Sequence, residues 1–415
     1  MFTLVPFPTE FTKPSWSFDS LRVYPLLQKH ALYTPDPTLA RYYVIPHKQP
    51  FGEDEYSGTQ YYDWLAANYP PWNESLAAQK AKFVLWHSCD HFTDCHYFGR
   101  DGFGNVDPAY SPLSETRIVR HVVWNGRADG AARWAPGERA PQSPPGQLPV
   151  GSPAPFCNAC TQRGKDIVVP TAENACGPFC GSDLKTLRRW AAWNDWDAEH
   201  RGPSARTLMR ALEYVKDWAP RPMRVFWAGT IPPEVLRRGV DVRHDLSGRG
   251  AMYAHHRHTP GFHLYQTYNW ENNRPSPLGT STLEMMRNAT FCFSPLGTHG
   301  GDQDRYLPAI LTGCIPIMLR TVWLTDDIKA PVVFPFEGSQ DFIRWEDVAV
   351  AIDIEDVPNL VQILDAVDVS SKRAHMHAVW RKLLWTSVYG SYLGESGVDD
   401  AFHHVVRAMV DQPFT

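Results

Sequence analysis

Between residues 220 and 370 the apolar positions follow two alternating rhythms. Short unbroken runs, Arg224–Trp227, Thr290–Phe293, Ile315–Leu319, Val332–Phe334 and Val348–Ile352, read as buried strands. Between them Ser281–Arg287, Arg305–Thr312 and Asn359–Val367 carry helical spacing. Alternation of this kind predicts a parallel sheet with helices on both faces. Two further helices, Ser371–Trp385 and Asp399–Val410, close the chain.

The first half is less regular. Arg41–Pro46, Lys82–His87, Ile118–Trp124 and Ile167–Val169 read as strands, and residues 128–155, heavy in Pro, Gly and Ala, as a loop. Helical spacing returns at Leu184–Trp196 and at Ala205–Trp218, which Ser204 caps. The stretch Ala219-Pro220-Arg221-Pro222 then breaks the chain. Since 415 residues exceed one ordinary core, the break divides the chain into segments 1–219, 220–370 and a helical 371–415.

Composition narrows the function classes. A net charge of −5 argues against a nucleic-acid partner. The 16 Trp and 17 Tyr suit stacking on sugars, although core packing is their commoner use. Of eight cysteines, Cys157/Cys160 and Cys176/Cys180 have spacings open to zinc. The strand between those pairs, and the sequons at Asn73 and Asn288, favour disulfides of undetermined connectivity. Cys292 and Cys314 lie in apolar runs and read as buried thiols. Residues 1–10 show neither a basic start nor a long apolar run, so targeting is left open.

The most informative segment is the strand ending at Phe293-Ser294, the loop Pro295-Leu296-Gly297-Thr298-His299-Gly300-Gly301, and the helix that Arg305 opens. Free N–H groups at a helix start favour a phosphate, glycines allow close approach, and arginine clamps two oxygens at once.

Phe291-Cys292-Phe293-Ser294-Pro295-x-Gly297, then Arg305, then Gly313-Cys314-Ile315-Pro316-Ile317, resembles the signature of the exostosin-like glycosyltransferases, glycosyltransferase family 47. Also in family order come Ala40–Pro46, Pro71-Trp72-Asn73 with Phe83–His87, Lys165–Pro170, Val225–Gly229 and Asp356–Leu360. The resemblance implies an α/β fold of GT-B type: two Rossmann-like domains facing a cleft, with C-terminal helices. It implies an inverting transferase that takes a nucleotide-sugar donor, a UDP-sugar first, to a glycan acceptor in the Golgi or secretory lumen. The nucleotide sugar is a co-substrate; no separate cofactor and no metal is implied. Donor contacts fall to Arg305, helped by Ser294, Gly297, Thr298, Gly300, Gly229 and Asp304. His87 and Asp90, just after a first-half strand, are the candidates for the base that deprotonates the acceptor.

Two features depart from the family. Its helix usually reads Arg-x-x-Glu-Ala, and here Pro308 replaces the carboxylate, which leaves Asp302 or Asp304 for the ribose. No anchor is visible either. The substitution sustains an alternative, a catalytically inactive relative that binds glycans or supports a partner subunit. Asp302-x-Asp304 looks like a D-x-D metal motif, yet it lies at a helix start rather than directly after a strand. An NAD-dependent enzyme is excluded because no G-x-G-x-x-G follows a first strand. Self-assembly or a second subunit is left open.

Overall fold

The computed structural model describes residues 1–4, 18–46, 64, 67–70, 83–86, 117–120, 167–170, 221–231, 247–269, 274–275, 282–296, 305–325, 328–337, 343–389 and 396–411. The expected helices at 184–196 and 205–218, the loop at 128–155 and residues 121–124 lie outside these.

Two separate five-stranded parallel sheets carry the chain. The first joins β1 (Phe2–Leu4), β2 (Tyr42–Pro46), β3 (Phe83–Trp86), β4 (Arg117–Arg120) and β5 (Ile167–Val168) in sequence order. After it come β6 (Met223–Gly229), β7 (Phe262–Gln266), a short hairpin of β8 (Tyr268–Asn269) and β9 (Arg274–Pro275), β10 (Ala289–Ser294), β11 (Ile315–Leu319), a hairpin of β12 (Thr321–Thr325) and β13 (Ile328–Pro331), and β14 (Val350–Ile352). The second sheet has the order β14-β11-β10-β6-β7, all parallel. Two parallel sheets, one in each half of the chain, make the fold α/β.

The helices are α1 (Phe18–Lys29), α2 (Arg249–His256), α3 (Thr282–Arg287), α4 (Tyr306–Leu311), α5 (Trp345–Val348), α6 (Leu360–Asp365), α7 (Val369–Val379), α8 (Thr386–Tyr389) and α9 (Ala401–Asp411). Central strands β10 and β11 are buried throughout except Thr290, as unbroken apolar runs require in a sheet covered on both faces.

Four expectations need correction. Val332–Phe334 is buried but forms no strand of the sheet: Val332 N donates to Arg320 O, and Phe334 N to Glu337 Oε2. The chain instead folds back just before it, as the β12–β13 hairpin. Val348 ends α5 rather than starting β14. The long helix expected at 371–385 breaks after Val379 into a 3₁₀ turn, Trp380–Leu383, ahead of α8. Cys292 and Cys314 are not thiols; they form a disulfide between β10 and the residue before β11. In the first three the apolar pattern recorded burial correctly, and burial does not specify which backbone partner is bonded.

Residues from the C-terminal part also touch the first sheet and the elements beside it. Trp385 Nε1 donates to Pro170 O at 3.1 Å, Phe336 N to Val168 O at 2.7 Å, and Phe402 meets His30 edge-on at 6.4 Å.

Beneath the second sheet Arg221 ties its elements together. Its guanidinium donates to the carbonyls of Met286 (3.2 Å), Ala289 (2.8 Å) and Thr312 (3.0 Å), which lie on α3, at the start of β10 and at the end of α4. Burial, then Arg373 and Arg287, pushes its pKa down to about 9. Substitution by Ala would leave three carbonyls unmet, so Arg221→Ala is expected to cost about 3 kcal/mol of stability in urea unfolding.

Candidate functional site

The strand order of the second sheet creates one special position. The chain passes from β6 to the edge at β7, then crosses back to place β10 on the other side of β6. In such doubly wound sheets ligands bind beyond the carboxyl ends of the strands where the order reverses, here between β6 and β10.

Two arginines stitch this place together. Arg305 follows β10, precedes α4, and reaches over to β6, where its Nη1 donates to the carbonyl of Ala228. Arg249 opens α2, which follows β6. It reaches the loop after β10, with Nε donating to Leu296 O (3.1 Å) and Nη1 to Thr230 O (3.1 Å). Each arginine thus follows one of the two strands and grips chain at the end of the other. Both are half-buried, so their charge acts in a medium less polar than water.

The expected donor residues fall into two groups. Arg305, Gly229 and Ser294 come together here: Ser294 ends β10 fully buried, and Gly229 ends β6. Gly297, Thr298, Gly300, Asp302 and Asp304, and the base candidates His87 and Asp90, lie outside the described residues. Gly229 has a packing reason of its own. A Cβ there would lie 2.7 Å from Trp227 Cζ2 and 3.2 Å from Arg305 Nη2, so only glycine leaves room for both.

Arg249 lies in no motif that the sequence singles out. Its signal is Gly248, which stands at φ 72° directly before α2, where a Cβ would come within 2.5 Å of Leu319 Cδ1. Glycine is needed to seat that helix start against the end of β11. Pro308 is the third residue of α4 and buried. Its missing N–H belongs to the first turn, where helix donors have no partner within the helix. Thr312 N still bonds Pro308 O at 3.1 Å. The substitution therefore costs the helix little, while a buried proline brings no carboxylate to the site.

Residues 221–367 match the model of the Exostosin GT47 domain. That stretch is similar to an exostosin GT47 domain. It holds the second sheet, both arginines and the disulfide, whereas the family-like motifs between Ala40 and Pro170 lie outside it. The probable beta-1,4-xylosyltransferase IRX10 of Arabidopsis thaliana is 32% identical over 165 residues, covering 35% of this chain and 34% of that protein. Exostosin-1 of Drosophila melanogaster is 30% identical over 101 residues, 24% of this chain and 12% of its own length. The chain therefore spans only a minor part of the curated relatives it matches. A crystal structure of WaaG, a glycosyltransferase involved in lipopolysaccharide biosynthesis, aligns over 92% of this chain and 95% of that one. At 11% identity and a TM-score of 0.26 it carries no argument. Among the described residues, no helix is long and apolar enough to cross a membrane.

Proposed function

We propose that the protein is an inverting glycosyltransferase that binds a nucleotide-diphosphate sugar, a UDP-sugar first, at the β6–β10 switch point of its GT47 domain. The observation that carries this reading is the pair Arg305 and Arg249 at the carboxyl ends of these two strands. Two guanidiniums concentrate positive potential where a departing diphosphate gathers negative charge. Guanidinium and N–H groups, rather than a metal ion, meet that charge in this reading, and the nucleotide sugar is a co-substrate. The loop at Gly297, Thr298 and Gly300 would add backbone donors, and Asp302 or Asp304 would hold the ribose. His87 or Asp90 would deprotonate a glycan hydroxyl. The matched relatives include a probable xylosyltransferase and an exostosin, which agrees with an acceptor of polysaccharide or glycoprotein-glycan type.

One observation favours a second reading. A buried proline at 308, where the family usually carries Glu, favours a catalytically silent relative that binds glycans or supports a partner subunit. Nucleotide release from a panel of UDP- and GDP-sugars decides between them, with calorimetry of UDP and GDP beside it. Turnover of one donor supports the enzyme and names that donor. Nucleotide binding without turnover of any donor supports the silent relative, and neither binding nor turnover sinks the nucleotide reading.

Synthesis in the secretory pathway, with the Golgi as destination, completes the proposal. The disulfide between Cys292 and Cys314 fits an oxidising compartment. The sequon Asn288-Ala289-Thr290 presents Asn288 exposed at the turn between α3 and β10. Protein made by secretory cells is expected to carry an N-glycan there. Glycosidase treatment should then lower the apparent mass of wild type by a larger step than that of Asn288→Gln; equal steps would rule the Asn288 glycan out.

A further inference from the structure

Trp227 lies two residues before the end of β6 and is 1% exposed. Among the described residues its indole Nε1–H has no hydrogen-bond partner. A buried donor left unmet is a standing cost to the fold, and native interiors rarely carry one without use. The N–H is therefore the part of this side chain that calls for an explanation.

Its position supplies one. Trp227 and Gly229 are two residues apart on one strand and so share a face of the sheet. The point where a Gly229 Cβ would stand lies 3.1 Å from Trp227 Cε2 and 3.2 Å from Arg305 Nη2. Cε2 is the ring carbon bonded to Nε1. The donor edge of the indole and the guanidinium of Arg305 therefore converge on one spot, and they do so because residue 229 has no side chain.

We propose that Trp227 Nε1–H is a second donor to the diphosphate of the nucleotide sugar, shared with Arg305. This rests on the nucleotide-sugar reading and deepens it by adding a ligand residue. Arg305 Nη1 bonds the neutral carbonyl of Ala228. A phosphate oxygen is the stronger acceptor for a guanidinium, because both partners are then charged. When Arg305 exchanges the carbonyl for a phosphate oxygen, that oxygen comes to lie beside the indole edge and gives Nε1–H the acceptor it lacks. A neutral donor next to a guanidinium adds direction without adding charge, which suits a ligand whose oxygens must be held in one orientation while the sugar leaves.

Two variants test this. Trp227→Phe keeps an aromatic ring and deletes the N–H. Site-specific replacement of Trp227 by 3-benzothienylalanine keeps both rings and puts sulfur in place of the N–H, so it isolates the hydrogen bond from packing. Affinity for UDP and for uridine is measured on wild type and both variants, with Tm. The expected result is a roughly tenfold loss of UDP affinity in both variants. Uridine binding should not change, and the Tm of the benzothienyl protein should be equal or higher, since a buried unmet donor has gone. Unchanged UDP affinity in the benzothienyl protein overturns the proposal and makes the N–H a simple packing cost. Equal losses for UDP and uridine also overturn it, since the defect would then be general. A wild type that binds neither UDP nor GDP instead removes the nucleotide-sugar reading on which the proposal stands.

Discussion

Replacing Arg305 by Ala is expected to lower kcat/KM for the preferred donor roughly 100-fold, about 2.7 kcal/mol of transition-state stabilisation. Arg305 stands at the start of α4 and spans the switch point to reach Ala228 on β6. In the proposed reading the guanidinium already stands at the site and only trades the Ala228 carbonyl for a phosphate oxygen as the diphosphate charge develops. Its half-buried setting strengthens the interaction relative to water. Stability should move less, because the side chain is only half-buried and water can replace it at the Ala228 carbonyl. Arg305→Lys sharpens the test. Lysine keeps the charge and loses the planar fork, so it should recover only part of the activity. A fall in Tm that matched the fall in activity in both variants would instead make Arg305 a structural brace.

Removing the disulfide is expected to lower stability about as much as losing Arg221. Cys292 lies inside β10 and Cys314 just before β11, 22 residues apart in sequence and both fully buried. Closing a loop of that length restricts the unfolded chain by roughly 3 kcal/mol in the chain-entropy view. The two anchored strands are neighbours at the centre of the second sheet, paired from Phe291 with Ile315 to Ser294 with Met318. They also carry the loop into Arg305, so loosening them reaches the site. The double variant Cys292→Ala/Cys314→Ala should melt roughly 6–10 °C lower than wild type by calorimetry. Wild type incubated with a strong reductant should shift the same way. An unchanged Tm in the double variant would mean that the bond restricts little that the sheet does not already hold.

Much of the second half is legible in the order of its residues. Thr290–Phe293 and Ile315–Leu319 are unbroken apolar runs between helices with caps or breaks, and they match β10 and β11 almost residue for residue. Arg305 is legible too, because a strand, a glycine-bearing loop and an arginine at a helix start are contiguous in the chain. The elements that escape are those whose partners are remote. β7 and α2 carry mixed, partly exposed sequences, FHLYQ and RGAMYAHH, with no clean period. The β12–β13 hairpin hides beside a more apolar run that is buried without being a strand.

The chain by itself determined the class of fold, the order of most strands and helices from β10 onward, and the one loop where an anion would be sought. These are local properties: the spacing of apolar side chains, breaks at proline, and glycine before a helix. Only the tertiary structure decided that Arg249, some 56 positions before Arg305, stands across the same switch point; that Gly229 is empty so that Trp227 and Arg305 can meet; and that two cysteines read as thiols are bonded. Each of these depends on which strands lie side by side. Strand order is set by packing energy summed over the whole sheet, and no short stretch of sequence contains it.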